Sequence, residues 1–567
     1  MTRDEIVVRF SGTAGDGVLV AGEMLTQAVS LLGARAFMYN DHGAEVRGGP
    51  SMSQVRISRC PILSQGDRAD ILVALSPEDR ARHLSELNPE GVLLFDGEPA
   101  EASGIRGIPQ GAIPYGIPLS RIALSQVQSP QTKNMVALGA FAALFHLPLD
   151  SLEEAVGQRF GRLSRLALKM GFDHVREKVE KRDDLSLKGM RGEARPVFSG
   201  NQLLSSGALA GGLTLFAGYP ITPANEILEM MSRELPKRGG SAIQTEDEIS
   251  ALGVVLGASF AGARAMTATS GPGLSLMVEL ITLASMAEVP AVIADIQRGG
   301  PATGMPTKTE QGDLLLALHG GHGDAPRVVI APADAIDNFY LAAEALNIAI
   351  RLQLPVILLS DQFLGQRKET LDKLKDDEVV IEEPLMAKPE EGRPFPRYKV
   401  TESGISPISF PGQPGGLYTA TGLEHDEFGI PCYTIENHQR MQEKRFRKLV
   451  GLKLRRGNFE RYGDEGAEIG VVAWGSTTGA VKEAIDRAGG GLRVSAFFPK
   501  LLSPFPLEAL LDFLRPVKRL LFVELNYMGQ LASLLQGYVK IEYKVLARGG
   551  GGPFKVEEVL RALKEMA

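Results

Sequence analysis

Three acids, two prolines and an arginine are the residues of this chain whose types and spacing could do chemistry. The acids lie in "QTEDEISALGVVLGASFAG" (residues 244–262), just before a helix that is apolar or small on nearly every face. Acids at a helix start are favoured by the helix dipole, and that is the ordinary reading for any one of them. Glu248 differs because it directly precedes the apolar stretch. A carboxyl there should be poorly hydrated, hold its proton to higher pH and share it with a ring nitrogen.

The prolines bracket "YPITP" (219–223), which follows the short strand-like "GLTLFAG". Proline fixes its own φ and keeps the preceding residue extended, so Tyr219 and Thr222 should both be extended. Thr222 and Pro223 then read as N-cap and first residue of a helix containing Asn225, Glu226 and Ile227. A hydroxyl beside free helix-end amides suits a small anion, and a well-capped helix after a tight turn is the plain alternative. Arg298 ends the strand-like "VPAVIADIQ" and opens the glycine-rich "RGGPATGMPTKTE"; "TSGPG" (269–273) is a third strand-to-helix turn. Strands ending at Gly218, Ser270 and Arg298 would bring their loops to one carboxyl edge of an open sheet, where such folds bind ligands. A planar guanidinium at that edge suits a carboxylate.

Near the start, "FSGTAGDGVLVAGEML" runs a strand through Gly12, Gly15, Asp16 and Gly17 straight into a helix. Close backbone approach and helix-end amides make this a candidate phosphate or nucleotide turn, although such turns also occur with no ligand. The "GDG" at 15–17 with Asn40 resembles the metal–diphosphate motif of thiamine enzymes, but Asp41 stands where a second asparagine is usual, and we reject it as a diphosphate site. His319 and His322 in "LHGGHGD" have neither cysteine nor clustered carboxylates beside them and form a poor zinc site.

The elements that must position these residues alternate strand-like and helical patterns almost throughout, which predicts an α/β protein with parallel sheets. We read three α/β domains: residues 1–180, a charged linker at 181–197, a second domain at 198–370, an extended surface connection at 371–467, and a smaller domain at 468–567. The 567 residues carry a net charge of −7 without long charged runs, which leaves no electrostatic footprint for nucleic acid or membrane. No stretch approaches the ~20 apolar residues needed to span a bilayer. The charged, then strand-like start does not read as a secretory signal, and a cytoplasmic location is expected. The two cysteines, Cys60 and Cys432, cannot by themselves ligate an iron–sulfur cluster.

Taken together, "GDGVLVAG", "HGAEVRGGPS", "YPITP", "TSGPG", "QRGGPATGMPTKTEQGDL" and "TGLEHDEFG" occur in one order across nearly the whole chain. In this the sequence resembles the α chain of the 2-oxoacid:ferredoxin oxidoreductases with the γ domain fused in front. The resemblance implies a γ-type domain, a thiamine-enzyme pyrimidine-type domain and a transketolase C-terminal-like domain. It also implies oxidative decarboxylation of a 2-oxoacid on thiamine diphosphate, two electrons passing to ferredoxin, and release of acyl-CoA. The diphosphate site, its Mg²⁺ and a [4Fe-4S] cluster would belong to a separate β chain, in an αβ or (αβ)2 assembly, with no metal held by this one.

Carried over by position, Glu248 matches the glutamate that holds N1′ of the aminopyrimidine, with Glu246 as the alternative if the match slips. Pro220 and Ser270 join Glu248 on the thiamine side. Thr222 and Arg298 match residues that hold the 2-oxoacid carboxylate, with Tyr219 and Thr303 beside them. Gly12, Gly15, Asp16, Gly17 and Arg47 fall in the domain associated with coenzyme A. The expected substrate is 2-oxoglutarate, ahead of pyruvate or a branched-chain 2-oxoacid. Two other readings are a lipoyl-dependent dehydrogenase component, which would lack the "GDGVLVAG" block, and a non-catalytic CoA-binding or assembly subunit.

Overall fold

A computed structural model of the chain describes residues 5–43, 48–157, 159–372, 374 and 378–567. The chain forms two compact units. One comprises Met1–Ser199, Gln366–Leu374 and Lys555–Glu557; the other comprises Gly200–Gly365, Lys375–Phe554 and Glu558–Ala567.

The first unit is built on a mixed sheet of β1 (Glu5–Thr13), β2 (Arg35–His42), β3 (Pro50–Ser58), β4 (Ala69–Ala74), β5 (Leu87–Asp96), β6 (Ile113–Ile117), β7 (Val197–Ser199) and β14 (Lys368–Thr370). Its order is β6-β5-β4-β1-β3-β2-β14-β7. β1 is central, parallel to β4 and antiparallel to β3. Ile6, Val8 and Phe10 on one face and Val7 and Arg9 on the other are all buried, as a strand covered on both faces requires. β14 is only three residues long, yet it bridges β2 and β7 and returns a late part of the chain to this sheet.

The second unit holds two sheets. The larger contains β8 (Leu215–Gly218), β9 (Ser241–Gln244), β10 (Ala265–Thr269), β11 (Ala291–Gln297), β12 (Val328–Ile330), β13 (Pro355–Asp361) and β18 (Leu501–Ser503) in the order β18-β12-β13-β11-β10-β8-β9. All are parallel except β18, which runs antiparallel to β12. The smaller contains β15 (Phe459–Gly463), β16 (Ile469–Ala473), β17 (Val494–Pro499), β19 (Arg519–Glu524) and β20 (Glu542–Ala547) in the order β15-β17-β16-β19-β20. One hydrophobic core serves both, with Trp474, Phe497 and Phe522 packed in the same cluster as Leu274, Met277 and Leu314. The step from β17 to β18 carries the chain from the smaller sheet into the larger one.

The connection before the smaller sheet differs from the extended surface segment read from sequence. It contains a 13-residue helix, Ile435–Arg447, capped by the Thr434 hydroxyl, which accepts from Asn437 N at 3.2 Å. Its far end is pinned inside the unit: Lys444 and Lys448 meet Glu288 at 2.5 and 2.7 Å, and all three side chains are inaccessible. A buried carboxylate with two buried ammonium groups holds the segment down, which its mostly polar composition could not signal.

Candidate active site

The parallel register of β8, β10 and β11 brings the loops that follow them to one carboxyl edge, as the strand endings predicted. The loop after β8 departs from expectation in detail. Its helix begins at Asn225, with Ala224 as the N-cap residue and no side-chain cap, rather than at Pro223 with Thr222 as cap. The reason is a turn that consumes the prolines: Ala224 N donates to Ile221 O at 2.8 Å, and Pro223 O accepts from Asn201 Nδ2 at 3.1 Å. The Thr222–Pro223 peptide is cis. Thr222 is half-buried, while Tyr219 and Pro220 are exposed on the same loop.

The three acids before the next helix separate cleanly. Asp247 is the N-cap, its carboxylate accepting from Ser250 N at 2.6 Å. Glu246 is exposed, whereas Glu248, the first helical residue of Glu248–Phe260, is 5% exposed. Glu248 is seated against the turn after β10. A Cβ on Gly273 would lie 2.6 Å from Glu248 Cγ and 2.0 Å from Thr269 Oγ1, so only a glycine leaves room for both. In that turn Ser270 is the N-cap of the Gly271–Met286 helix, wholly buried, and its hydroxyl meets no partner among the described residues. An orphaned hydroxyl and a dehydrated carboxyl beside a helix start fit a heteroaromatic ring bearing both donor and acceptor nitrogens.

Arg298 immediately follows β11 and is 8% exposed. Its Nη1 donates to the Thr222 carbonyl at 2.6 Å, while its Nε finds no partner among the described residues. Glu248 and Asp313 are the acids whose charges act on it. The guanidinium thus ties the loop after β11 to the loop after β8 and keeps one buried donor free, which suits an incoming carboxylate. Thr303 lies in the exposed part of this loop. The buried threonine here is Thr309, whose hydroxyl donates to Asp361 Oδ1 at 3.1 Å.

The smaller sheet holds the far end of that loop. Gln311 N donates to Leu525 O at 2.6 Å, Leu525 N donates back to Gln311 Oε1 at 2.9 Å, and Gln311 Nε2 donates to Trp474 O at 2.7 Å. Gln530 closes the next residues by donating to Gly312 O and accepting from Leu315 N. Sequence reasoning did not single out Asp313, fixed by these contacts. Its carboxylate lies against the bare Cα of Gly271, and a Cβ there would come within 2.7 Å of both oxygens. The signal was present in the glycines of "TSGPG", which mark close approach without naming the neighbour.

In the first unit, Gly12, Gly15, Asp16 and Gly17 form the turn from β1 into the Val18–Leu31 helix. Gly15 and Gly17 have φ of 111° and 73°, which favours glycine. Asp16 Oδ2 accepts from Thr13 N at 2.9 Å, and Asn134 Nδ2 donates to Gly17 O at 3.1 Å. The turn is therefore braced from within the unit. Arg47, expected nearby, lies outside the described residues.

Residues 206–444 match the family described as "Pyruvate flavodoxin/ferredoxin oxidoreductase, thiamine diP-bdg", residues 7–172 match "Pyruvate ferredoxin/flavodoxin oxidoreductase", and residues 467–559 match "Pyruvate:ferredoxin oxidoreductase core domain II". The chain is 30% identical to 2-oxoacid:ferredoxin oxidoreductase 2, subunit alpha, of Aeropyrum pernix, over 99% of this chain and 98% of that one. It is 31% identical to 2-oxoglutarate oxidoreductase subunit KorA of Mycobacterium tuberculosis, over 99% and 91%. A solved 2-oxoglutarate:ferredoxin oxidoreductase from Magnetococcus marinus, with 2-oxoglutarate, coenzyme A and succinyl-CoA bound, superposes with a TM-score of 0.92 at 37% identity, covering 99% of each chain. The chain belongs to the 2-oxoacid:ferredoxin oxidoreductases, as an α-type subunit with a γ-type domain fused in front of its thiamine-diphosphate-binding domain.

Proposed function

We propose that this chain supplies the substrate loop and the aminopyrimidine contacts of a 2-oxoglutarate:ferredoxin oxidoreductase. The reaction takes a 2-oxoacid, coenzyme A and two oxidised ferredoxins to acyl-CoA, CO2, two reduced ferredoxins and a proton. The observation that carries the reading is Arg298: a nearly buried guanidinium joined to the Thr222 carbonyl, with Nε free, at the edge where the three loops meet. The Magnetococcus relative, bound to 2-oxoglutarate and succinyl-CoA, supports this substrate over pyruvate.

In this reading Arg298 and the Thr222 hydroxyl hold the substrate carboxylate, with Tyr219 and Thr303 at the exposed mouth. Glu248 holds the N1′ side of the aminopyrimidine and shares a proton there, with Ser270 and Pro220 as neighbours. Thiamine diphosphate, when bound, supplies the electron sink for decarboxylation. The first-unit turn at Gly12–Gly17 contributes to coenzyme A binding. The diphosphate, Mg²⁺ and a [4Fe-4S] cluster belong to a β-type partner, which completes the site in an αβ or (αβ)2 assembly in the cytoplasm. Among the described residues no helix is long and apolar enough to cross a membrane.

The test is a substrate panel on the chain co-expressed with its β-type partner, read by reduction of ferredoxin or a dye. Turnover highest with 2-oxoglutarate supports the assignment. Turnover highest with pyruvate or a branched-chain 2-oxoacid moves the substrate and leaves the site roles standing.

A further inference from the structure

Between Arg298 and Gln311 the chain closes on itself, through groups that the proposed chemistry leaves unused. Gly299 N donates to Lys308 O and Met305 N donates to Gly299 O, both at 2.8 Å. Gly304, at φ 54°, is held to glycine by conformation and by space, since a Cβ there would lie 2.0 Å from the Gly299 carbonyl oxygen. The tip from Pro301 to Met305 is exposed, whereas Gly299 is buried. A side chain completes the closure: Glu310 Oε2 accepts from Gly300 N at 3.2 Å. The carboxylate thereby fixes the backbone two residues beyond the guanidinium of Arg298.

Glu310 is itself confined. Thr309 before it is anchored beside the larger sheet, its hydroxyl donating to Asp361 Oδ1 at 3.1 Å and accepting from Phe363 N at 3.3 Å. Gln311 after it is held by Trp474 and Leu525 of the smaller sheet. A glycine run, residues 549–552, follows β20 and closes a further side. Gly551 N donates to Thr309 O at 3.3 Å. A Cβ on Gly550 would lie 2.5 Å from Thr309 O and 3.0 Å from Glu310 Oε2. Gly550 is outside the left-handed region, so its bareness answers to space rather than to conformation. With both chain neighbours anchored and the glycine run against it, the carboxylate reaches the Gly300 amide from a fixed base.

We propose that Glu310 is a positioning residue for the 2-oxoacid: by holding the Gly300 amide it keeps Arg298 aimed at the substrate carboxylate. This rests on the reading that Arg298 binds that carboxylate. The guanidinium is tied through Nη1 to the Thr222 carbonyl, while the arginine's own backbone runs directly into Gly299 and Gly300. Gly300 is exposed and carries the conformational freedom of glycine, which the bond to Glu310 removes. Without that acceptor the backbone beside Arg298 regains its freedom, and the guanidinium spends less time in the binding geometry. Such a loss weakens ground state and transition state alike, so it falls on KM rather than on kcat.

The test is steady-state kinetics on the complete enzyme with its β-type partner, with the 2-oxoacid and coenzyme A each varied. Glu310→Asp keeps the charge but draws the carboxylate back by one methylene, whereas Glu310→Gln drops the charge and keeps an acceptor of the same reach. Glu310→Asp should raise the 2-oxoacid KM about two- to tenfold, the size of one hydrogen bond, with kcat and the coenzyme A KM unchanged. Glu310→Gln should recover most of that loss. A KM raised as much in Glu310→Gln as in Glu310→Asp, or unmoved in Glu310→Asp, overturns the proposal. A kcat lowered at unmoved KM in Glu310→Asp marks a merely structural role and overturns it too. Because Glu310 acts through Arg298, Glu310→Asp added to Arg298→Lys should raise KM by less than the product of the two single effects, and full multiplication overturns the proposal. If Arg298→Lys raises the 2-oxoacid KM while Glu310→Asp does not, the carboxylate reading stands and this proposal alone falls. If Arg298→Lys leaves that KM unmoved, the reading beneath falls, and the proposal with it.

Discussion

Arg298 Nη1 donates to the backbone carbonyl of Thr222, not to its hydroxyl, at 2.6 Å. The arginine therefore holds the loop whatever side chain stands at 222, and the substrate contact proposed for the hydroxyl can be tested apart from the loop. Thr222→Ala should keep the fold and raise the 2-oxoacid KM by roughly one neutral hydrogen bond, about 0.5–1.5 kcal/mol or two- to tenfold. Steady-state kinetics on the co-expressed complex measure it, and an unchanged KM would remove Thr222 from the substrate contacts.

Glu248→Gln should cut turnover by about 10²–10⁴-fold, the usual contribution of a positioned acid–base group, without altering assembly. Glu246, exposed two residues earlier, should tolerate the same change. Comparing kcat of the two variants tests the assignment directly. The reverse pattern would shift the assignment to Glu246.

Gly273→Ala should resemble Glu248→Gln in kinetics, because its Cβ would meet Thr269 Oγ1 at 2.0 Å and Glu248 Cγ at 2.6 Å. The helix start can persist only if Glu248 moves, and misplacement by about 1 Å can cost ~10²-fold in rate. Turnover at the unaltered level would show that the carboxyl's seat against this helix is not required.

Glu288→Gln should destabilise the chain by about 3–5 kcal/mol, since it leaves Lys444, Lys448 and the neighbouring Arg397 without the buried counter-charge. Burial opposes ionisation of Glu288, but Lys448, Lys444 and Arg397 outweigh it and hold its carboxyl far below the usual range. Its contribution is therefore complete above the ordinary value of 4.5 and is lost as pH falls toward the depressed one. Lys448 acts oppositely. Burial lowers it to about 7 from 10.5, so the unfolded chain binds more protons in that window, and stability should rise with pH there. Urea midpoints across pH should show that rise, and Lys448→Met should flatten it.

How much of this could be read from the sequence depends on how local each cause is. The strand endings at Gly218, Ser270 and Arg298 were legible because buried parallel strands are short apolar runs closed by glycine-rich turns. Glu248 was separable from Glu246 because an apolar helix follows it at once. The helix start at Asn225 was not legible, since a Thr–Pro pair serves equally as a cap or as a turn, and the choice was made by Asn201 taking the Pro223 carbonyl. The three-residue β14 and the Glu288–Lys444 contact across 156 residues both arise from chain segments that meet only in the folded state. No periodicity in the sequence reports such meetings.

The central claim is that the loops after β8 and β11 hold the 2-oxoacid, while the first-unit turn serves coenzyme A. Arg298→Lys keeps the charge but loses the two-pronged donor and its hold on the Thr222 carbonyl. The decisive measurement is the steady-state kinetics of this variant, assembled with its β-type partner, with 2-oxoglutarate and coenzyme A each varied against the other. The KM for 2-oxoglutarate should rise at least about tenfold, the cost of roughly one charge-assisted hydrogen bond, with the KM for coenzyme A unchanged. A variant whose coenzyme A dependence changes while its 2-oxoglutarate KM stays put would contradict it.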